Sequence, residues 1–196
     1  MRIISGTARG MKLRSLPIDR LRPMLDRVKE SLFNILRDIV PDARVLDLFS
    51  GSGALGLEAL SRGAAHCTFV ESDRRLAELI EGNADHCRLR ERCAVIHANA
   101  YDLLRLAPNE AEGPADLALI DPPYAFVDDP NERARLMGLL DHLVGPWLEP
   151  GAQVVLHHRP IPYAVWPVAT LTEWDKRIYG QSQLTFFEVT PEAEHG

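Results

Sequence analysis

Cysteine is scarce in this chain: three thiols, Cys67, Cys87 and Cys93, stand among 196 residues, and none belongs to a CxxC pair. An odd number without metal-ligand spacing argues against a disulfide framework and against a zinc site, so buried or idle thiols and no bound metal are expected. Long hydrophobic runs are missing too. No stretch approaches the ~20 apolar residues of a membrane-spanning helix. The opening "MRIISGTARG" lacks the apolar core of a secretion signal. A cytoplasmic protein without a membrane partner is expected. No Gly-Lys-Ser/Thr follows a glycine loop, which excludes a P-loop.

Positive charge is short overall, with a net −6, but it is unevenly spread. Residues 1–40 hold nine Lys/Arg against four Asp/Glu, a balance of +5, and the other 156 residues carry −11. The pattern reads as a basic N-terminal extension (1–40) on an acidic body (41–196). A basic arm can attract phosphates, although a solvated basic face has the same composition. Hydrophobic residues at 46% and charged residues at 26% are those of a folded globular domain rather than a disordered chain.

"RIISG" and "MKLRS" flank the turn-rich "GTARG" and predict a hairpin. "DRVKESLFNILRDIV" places Val28, Leu32, Ile35, Leu36 and Ile39 at helical spacing, with Asp26 as the expected cap and Pro41 as the stop. Strands are predicted at 44–49, 66–72, 94–99, 116–121 and 152–159, with helices in "GALGLEALSRG", "DRRLAELIEGNADHC" and "ERARLMGLLDHLV". Alternating strands and helices predict an α/β fold with a mostly parallel sheet. The rhythm breaks at the end, where "EWDKRIYG" and "QLTFFEV" predict an antiparallel pair around a Gly180–Gln181 turn. "APNEAEGPA", 107–115, reads as an exposed loop.

Two motifs carry chemistry. In "VLDLFSGSGALGLEAL" the glycines at 51, 53 and 56 fit G-x-G-x-x-G between a strand and a helix, and Glu71 ends the next strand, where its carboxylate can bond both hydroxyls of a ribose. A nucleoside-containing cofactor follows. Asp47, inside the strand, points away from a dinucleotide and toward a ligand with a cationic group. "D-L-F-S-G-S-G" resembles the first motif of the Rossmann-like methyltransferases that use S-adenosylmethionine.

The second motif is "DPPY", 121–124, at the carboxyl end of the fourth strand. An aromatic amine is a poor nucleophile because its lone pair is delocalised. Hydrogen bonds from the NH₂ to the Asp121 carboxylate and the Pro122 carbonyl would pull the nitrogen toward tetrahedral geometry. Pro122 and Pro123 hold these acceptors at low entropic cost. Tyr124 can stack on the base, an interaction worth about 1–3 kcal/mol.

D-P-P-Y resembles the [DNS]-P-P-[YFW] signature of amino-methyltransferases. More narrowly, "MRIISGTARGMKL", "RPMLDRVKESLFNIL", "VLDLFSGSGALGLEALSRGA", "LIDPPY" and "KRIYGQSQLTFFE", in that order and at matching spacing, resemble the bacterial 16S ribosomal RNA guanine-N2 methyltransferase family. The resemblance implies a Rossmann-like class I fold with a seven-stranded sheet. It also implies a monomer that transfers a methyl group from S-adenosyl-L-methionine to a guanine N2 amine in 16S rRNA, within an assembled or assembling small ribosomal subunit. It implies S-adenosyl-L-homocysteine as product and cofactor contacts at Asp47, Phe49, Ser50, Gly51, Gly53, Glu71, Ser72, Asn99 and Ala100. The catalytic set would be Asp121, Pro122, Pro123 and Tyr124, with Arg9, Arg22 and Arg27 toward the RNA. Three departures stand out: apolar Leu21, Met24 and Leu25 around the Arg-Pro, Asn99 where an acid is commoner, and the acidic overall charge.

Rival readings remain at this point. They are another amine acceptor (a DNA adenine or a protein glutamine), a nicotinamide-dependent oxidoreductase, and a non-catalytic RNA-binding module. His157 and His158 cannot easily share a metal, because neighbours on a strand point to opposite faces, and the pair reads as structural. Trp147, Trp166 and Trp174 read as scattered core or surface residues, and Tyr179 as either packing or cleft.

Overall fold

In a computed structural model, the described residues are 1–17, 24–106, 113–161, 166 and 168–190. By contacts the chain groups into Met1–Ala100 and Tyr101–Gly196.

The first unit holds α1 (Asp26–Ile35), β1 (Arg44–Leu48), α2 (Ala54–Ser61), β2 (His66–Glu71), α3 (Arg74–His86), a 3-10 turn at Arg90–Arg92 and β3 (Cys93–His97). Its strands are parallel with β2 central; Leu48 lies opposite Val70, and Glu71 opposite His97. Five of the six β2 residues are buried, as a strand covered on both faces requires. The three cysteines are unpaired and buried, and burial pushes the Cys93 thiol up to about 12.

The expected hairpin is present: Arg2 bridges Lys12, and the Ile3 N–H donates to the Met11 carbonyl at 3.0 Å. It covers α2, which is why that helix is buried on nearly every side. Glu58 lies at the centre of this contact. Its carboxylate, fully buried, accepts the N–H groups of Ile4 (2.7 Å) and Ser5 (3.0 Å) and pairs with Arg62 (2.7 Å) and Lys29 (3.5 Å). Lys29 also donates to the Arg2 carbonyl at 2.7 Å. Burial lowers the lysine's pKa, an effect the Glu58 charge opposes. Asn83 on α3 closes the other edge, bonding both backbone groups of Arg14 and the Ser52 carbonyl.

Asp26 does not cap α1. Leu25 occupies the N-cap without a side-chain bond, and Asp26 is the first helical residue, where its charge favours the helix N-terminus and pairs with Arg2 at 3.4 Å.

The second unit holds β4 (Ala115–Ile120), α4 (Ala125–Asp128), α5 (Pro130–Leu143), β5 (Leu148–His158), β6 (Leu171–Tyr179) and β7 (Ser182–Val189). A 3-10 turn at Ala100–Leu104 precedes them. β4 and β5 are parallel, and β7 runs antiparallel between β5 and β6. The 180–181 turn joins β6 to β7, with Gly180 at φ +64°. β5 starts earlier than the expected 152, because Leu148 already pairs with Ala115 before the register shifts. α5 also starts earlier than expected: Asp129 caps it by accepting the N–H groups of Asn131 and Glu132, and Pro130 fits a first turn that needs no donor. The greater part of the expected 107–115 loop lies outside the described residues. No helix among the described residues is long and apolar enough to cross a membrane.

Candidate active site

The glycine loop is fastened at three points within the first unit. Phe49, Gly51 and Gly53 all take left-handed backbone angles, with φ of 57°, 56° and 76°. Gly53 sits at the N-cap of α2, where a side chain would strain the turn. Ser50 donates its hydroxyl to the Asp47 carbonyl at 2.6 Å and accepts the Val70 N–H at 3.0 Å, stitching the loop to β2. Asp47, 1% exposed, accepts the Gly56 N–H at 2.9 Å and so fixes the first turn of α2. Glu71 accepts the Gly51 N–H at 2.8 Å on one oxygen and the Asp73 N–H at 2.9 Å on the other. Oε1 also accepts the Ser72 hydroxyl at 3.3 Å, so Oε2, with one of its two lone pairs unused, retains capacity for a ligand hydroxyl, and Oε1 gains it when Ser72 turns away. An acceptor placed here fits the hydroxyls of a ribose. The remaining expected contacts lie nearby in the chain: Ser72 and Asn99 are exposed, and Ala100 is buried. Ala98 donates its N–H to the Glu71 carbonyl at 3.1 Å.

DPPY leaves the end of β4. Pro122 is buried, Pro123 exposed and Tyr124 half-buried. The Pro123 carbonyl accepts the Phe126 N–H at 2.8 Å, and the Tyr124 carbonyl accepts those of Val127 and Asp128, so the second half of the motif is tied to the start of α4. The Asp121 side chain is 25% exposed and bonds His157 Nδ1 through Oδ1 at 2.7 Å. Tyr124 lies edge-on to the His157 ring at 6.0 Å and carries the Arg159 guanidinium over its ring at 4.9 Å. Its hydroxyl is 3.5 Å from Ser182 Oγ, beside the 180–181 turn. Tyr179 is half-buried and pairs with Ser182 across that turn.

The sequence reading of His157 as structural did not reveal its partner. The residue is buried and bonds Asp121. His158 does face elsewhere, bonding Thr185 Oγ1 at 2.9 Å and packing edge-on to Trp166 at 4.9 Å. Arg159 was also missed, and only the register of β5 on β4 would have revealed either residue. Trp147 is buried, and Trp174 is largely exposed with its Nε1 donating to Gln153. Arg9 and Arg27 are exposed; Arg22 lies outside the described residues, as does Leu21. Among the described residues no cluster of His, Cys, Asp or Glu could hold a metal ion.

Fold and motifs together define a class. The chain has the Rossmann-like fold of class I methyltransferases, a mixed seven-stranded sheet, mostly parallel, with antiparallel strands at its C-terminal end. It matches the structure described as putative methyltransferase yhhF from Escherichia coli with a TM-score of 0.81 at 32% identity, covering 97% of this chain and 98% of that one. An RNA methyltransferase from Salinibacter ruber, solved in complex with S-adenosyl-L-homocysteine, shares the fold with a TM-score of 0.64 at 17% identity, over 89% and 98% of the two chains. The chain belongs to the family described as Conserved hypothetical protein 95, whose model matches residues 1–188. Ribosomal RNA small subunit methyltransferase D of Haemophilus influenzae is 38% identical over 79% of this chain and 76% of its own length. The Escherichia coli K12 protein of that name is 41% identical over 63% of this chain and 60% of its own length.

Proposed function

We propose that the chain is an S-adenosylmethionine-dependent methyltransferase acting on small-subunit ribosomal RNA, and that its acceptor is the exocyclic N2 amine of a guanine. The observation that carries this reading is Asp121: a partly exposed carboxylate at a strand end, pinned through one oxygen at 2.7 Å and followed by a proline-stiffened turn bearing an aromatic ring. The names of the relatives supply the class of substrate.

Glu71 would take the ribose hydroxyls, Gly51 and Gly53 would let the ligand approach the backbone, and Ser72, Asn99 and Ala100 would line the adenine. Asp47 would act mainly through α2, whose start it fixes. When bound, the cofactor supplies an electrophilic methyl group on a sulfonium. The reaction needs the acceptor nitrogen in line with it. Asp121 Oδ2 and the Pro122 carbonyl would each accept one N–H of the amine, raising its nucleophilicity, and Tyr124 would stack on the guanine ring. As the nitrogen takes the methyl group and the donor's carbon–sulfur bond breaks, positive charge would move to nitrogen; the Asp121 carboxylate would stabilise it and then take the proton that the amine gives up. The base must be unstacked or already in a loop for its amine edge to be reached.

The hairpin and α1, with Arg9 and Arg27 exposed, would form the RNA-facing extension of residues 1–40. A cytoplasmic monomer working on assembled or assembling subunits completes the proposal. The test is incubation with labelled methyl donor and unmodified small subunits, followed by nucleoside mass spectrometry. N2-methylguanosine is the expected product; a methylated adenine or protein glutamine would replace this acceptor with another.

A further inference from the structure

The register of β5 against β4 sets Ile120 opposite Leu156, so Asp121 and His157 are the next pair along the strands. Opposed residues of neighbouring strands point to the same face of the sheet, which brings the imidazole to the carboxylate. The bond is 2.7 Å between Nδ1 and Oδ1. A carboxylate offers only lone pairs, so Nδ1 must carry the hydrogen in either protonation state of the ring. His157 Nε2 is buried with no hydrogen-bond partner among the described residues. Asp121 is therefore the polar partner this ring has. A leucine would fill such a space without leaving a polar atom unpaired, so packing alone does not account for an imidazole here. The same ring lies edge-on to Tyr124 at 6.0 Å.

We infer that His157 is a positioning residue: its Nδ1–H holds Oδ1 of Asp121 so that Oδ2 remains for the acceptor amine, while its ring sets the attitude of Tyr124. An aspartate at a strand end has two free torsions, and an acceptor that wanders loses the alignment on which the transfer depends. A donor fixed in the core removes that freedom. The inference rests on reading Asp121 as the group that binds the amine.

Three variants test it, assayed on unmodified small subunits alongside wild type and Asp121→Ala. His157→Asn keeps a donor near the place of Nδ1. His157→Gln carries its donor toward the place of Nε2, and His157→Phe has none. His157→Phe and His157→Gln are expected to lower kcat by at least about tenfold. S-adenosylhomocysteine affinity should be unchanged in both, and His157→Asn should recover most of the loss. Wild-type kcat in His157→Phe overturns the inference, and so does an equal loss in all three variants, which would mean that shape alone matters. Should the phenylalanine variant unfold, the Asn–Gln comparison decides.

A second measurement is independent of the reaction. The Nδ1 proton resonance of His157 should be observable in wild type and shift in Asp121→Ala; an unshifted resonance removes the bond and the inference with it. If wild type methylates no amine, or Asp121→Ala methylates as well as wild type, the functional reading fails instead.

Discussion

Glu71 Oε2 accepts the Gly51 N–H at 2.8 Å, tying the end of β2 to the loop that leaves β1. Both oxygens of this carboxylate face backbone donors, so a glutamine cannot replace it: its NH₂ would meet an N–H. Glu71→Gln is expected to weaken S-adenosylhomocysteine binding at least tenfold and to cost about 1–3 kcal/mol of stability. Calorimetry and denaturant unfolding check the two. Unchanged affinity would remove Glu71 from the ribose site.

Gly56 lies where a Cβ would come within 2.3 Å of Phe69 Cε1 and 2.5 Å of Cys67 Sγ. Gly56→Ala therefore overpacks the seam between α2 and β2, and a loss of about 1–3 kcal/mol is expected. The Asp47 bond to the Gly56 N–H should suffer with it. Thermal unfolding reads the first effect, and cofactor affinity the second.

The buried Glu58 carboxylate holds Lys29, Arg62 and two hairpin N–H groups at once. Removing one member of a buried ion pair strands the others, so Glu58→Ala should cost about 3–5 kcal/mol. Amide exchange over residues 3–13 should rise before that of β2. Hairpin amides that stay protected would show that Glu58 is not what holds the arm.

His158 is fully buried, and burial, reinforced by His157 and opposed by a hydrogen bond to the Arg159 backbone, holds its pKa down to about 4 against an ordinary 6.5. The folded pKa lies below the unfolded one, so between these values the unfolded chain binds more protons. Stability is full above about pH 6.5 and falls as the pH drops toward 4, by about 3 kcal/mol at 1.36 kcal/mol per unit. Urea unfolding at pH 7 and pH 4.5 measures this, and His158→Asn should flatten the difference. An equal pH slope in the variant would place the acid sensitivity elsewhere.

Arg9 is exposed on the hairpin turn. If it meets phosphate, Arg9→Ala should weaken RNA binding and lower the salt slope by about 1, leaving cofactor affinity alone. An unchanged slope would make the arm's charge a solvated surface.

The alternation of strands and helices, the glycine loop and the closing hairpin were legible because each is local: period, turn residues and spacing lie within one stretch of chain. What escaped the sequence depends on pairing between distant segments. His157 looked structural because only the β4–β5 register shows that residue 157 faces residue 121. Glu58, within an apolar helix, gave no sign that the hairpin would cover it. Asp26 looked like a cap because capping depends on backbone angles at Leu25, which composition does not set. Of the residues expected to bind cofactor, Glu71 was read from its place at the end of the second strand and Ser50 from the family resemblance, whereas the inward turn of Asp47 toward Gly56 needed coordinates.

One comparison bears most directly on the amine-holding role of Asp121. Wild type and Asp121→Ala are incubated with labelled methyl donor and unmodified small subunits, with S-adenosylhomocysteine affinity measured in parallel. Label on a guanine N2 in wild type is expected, with transfer nearly abolished in the variant at similar cofactor affinity. Equal transfer by the variant, or label on a different atom, would contradict it.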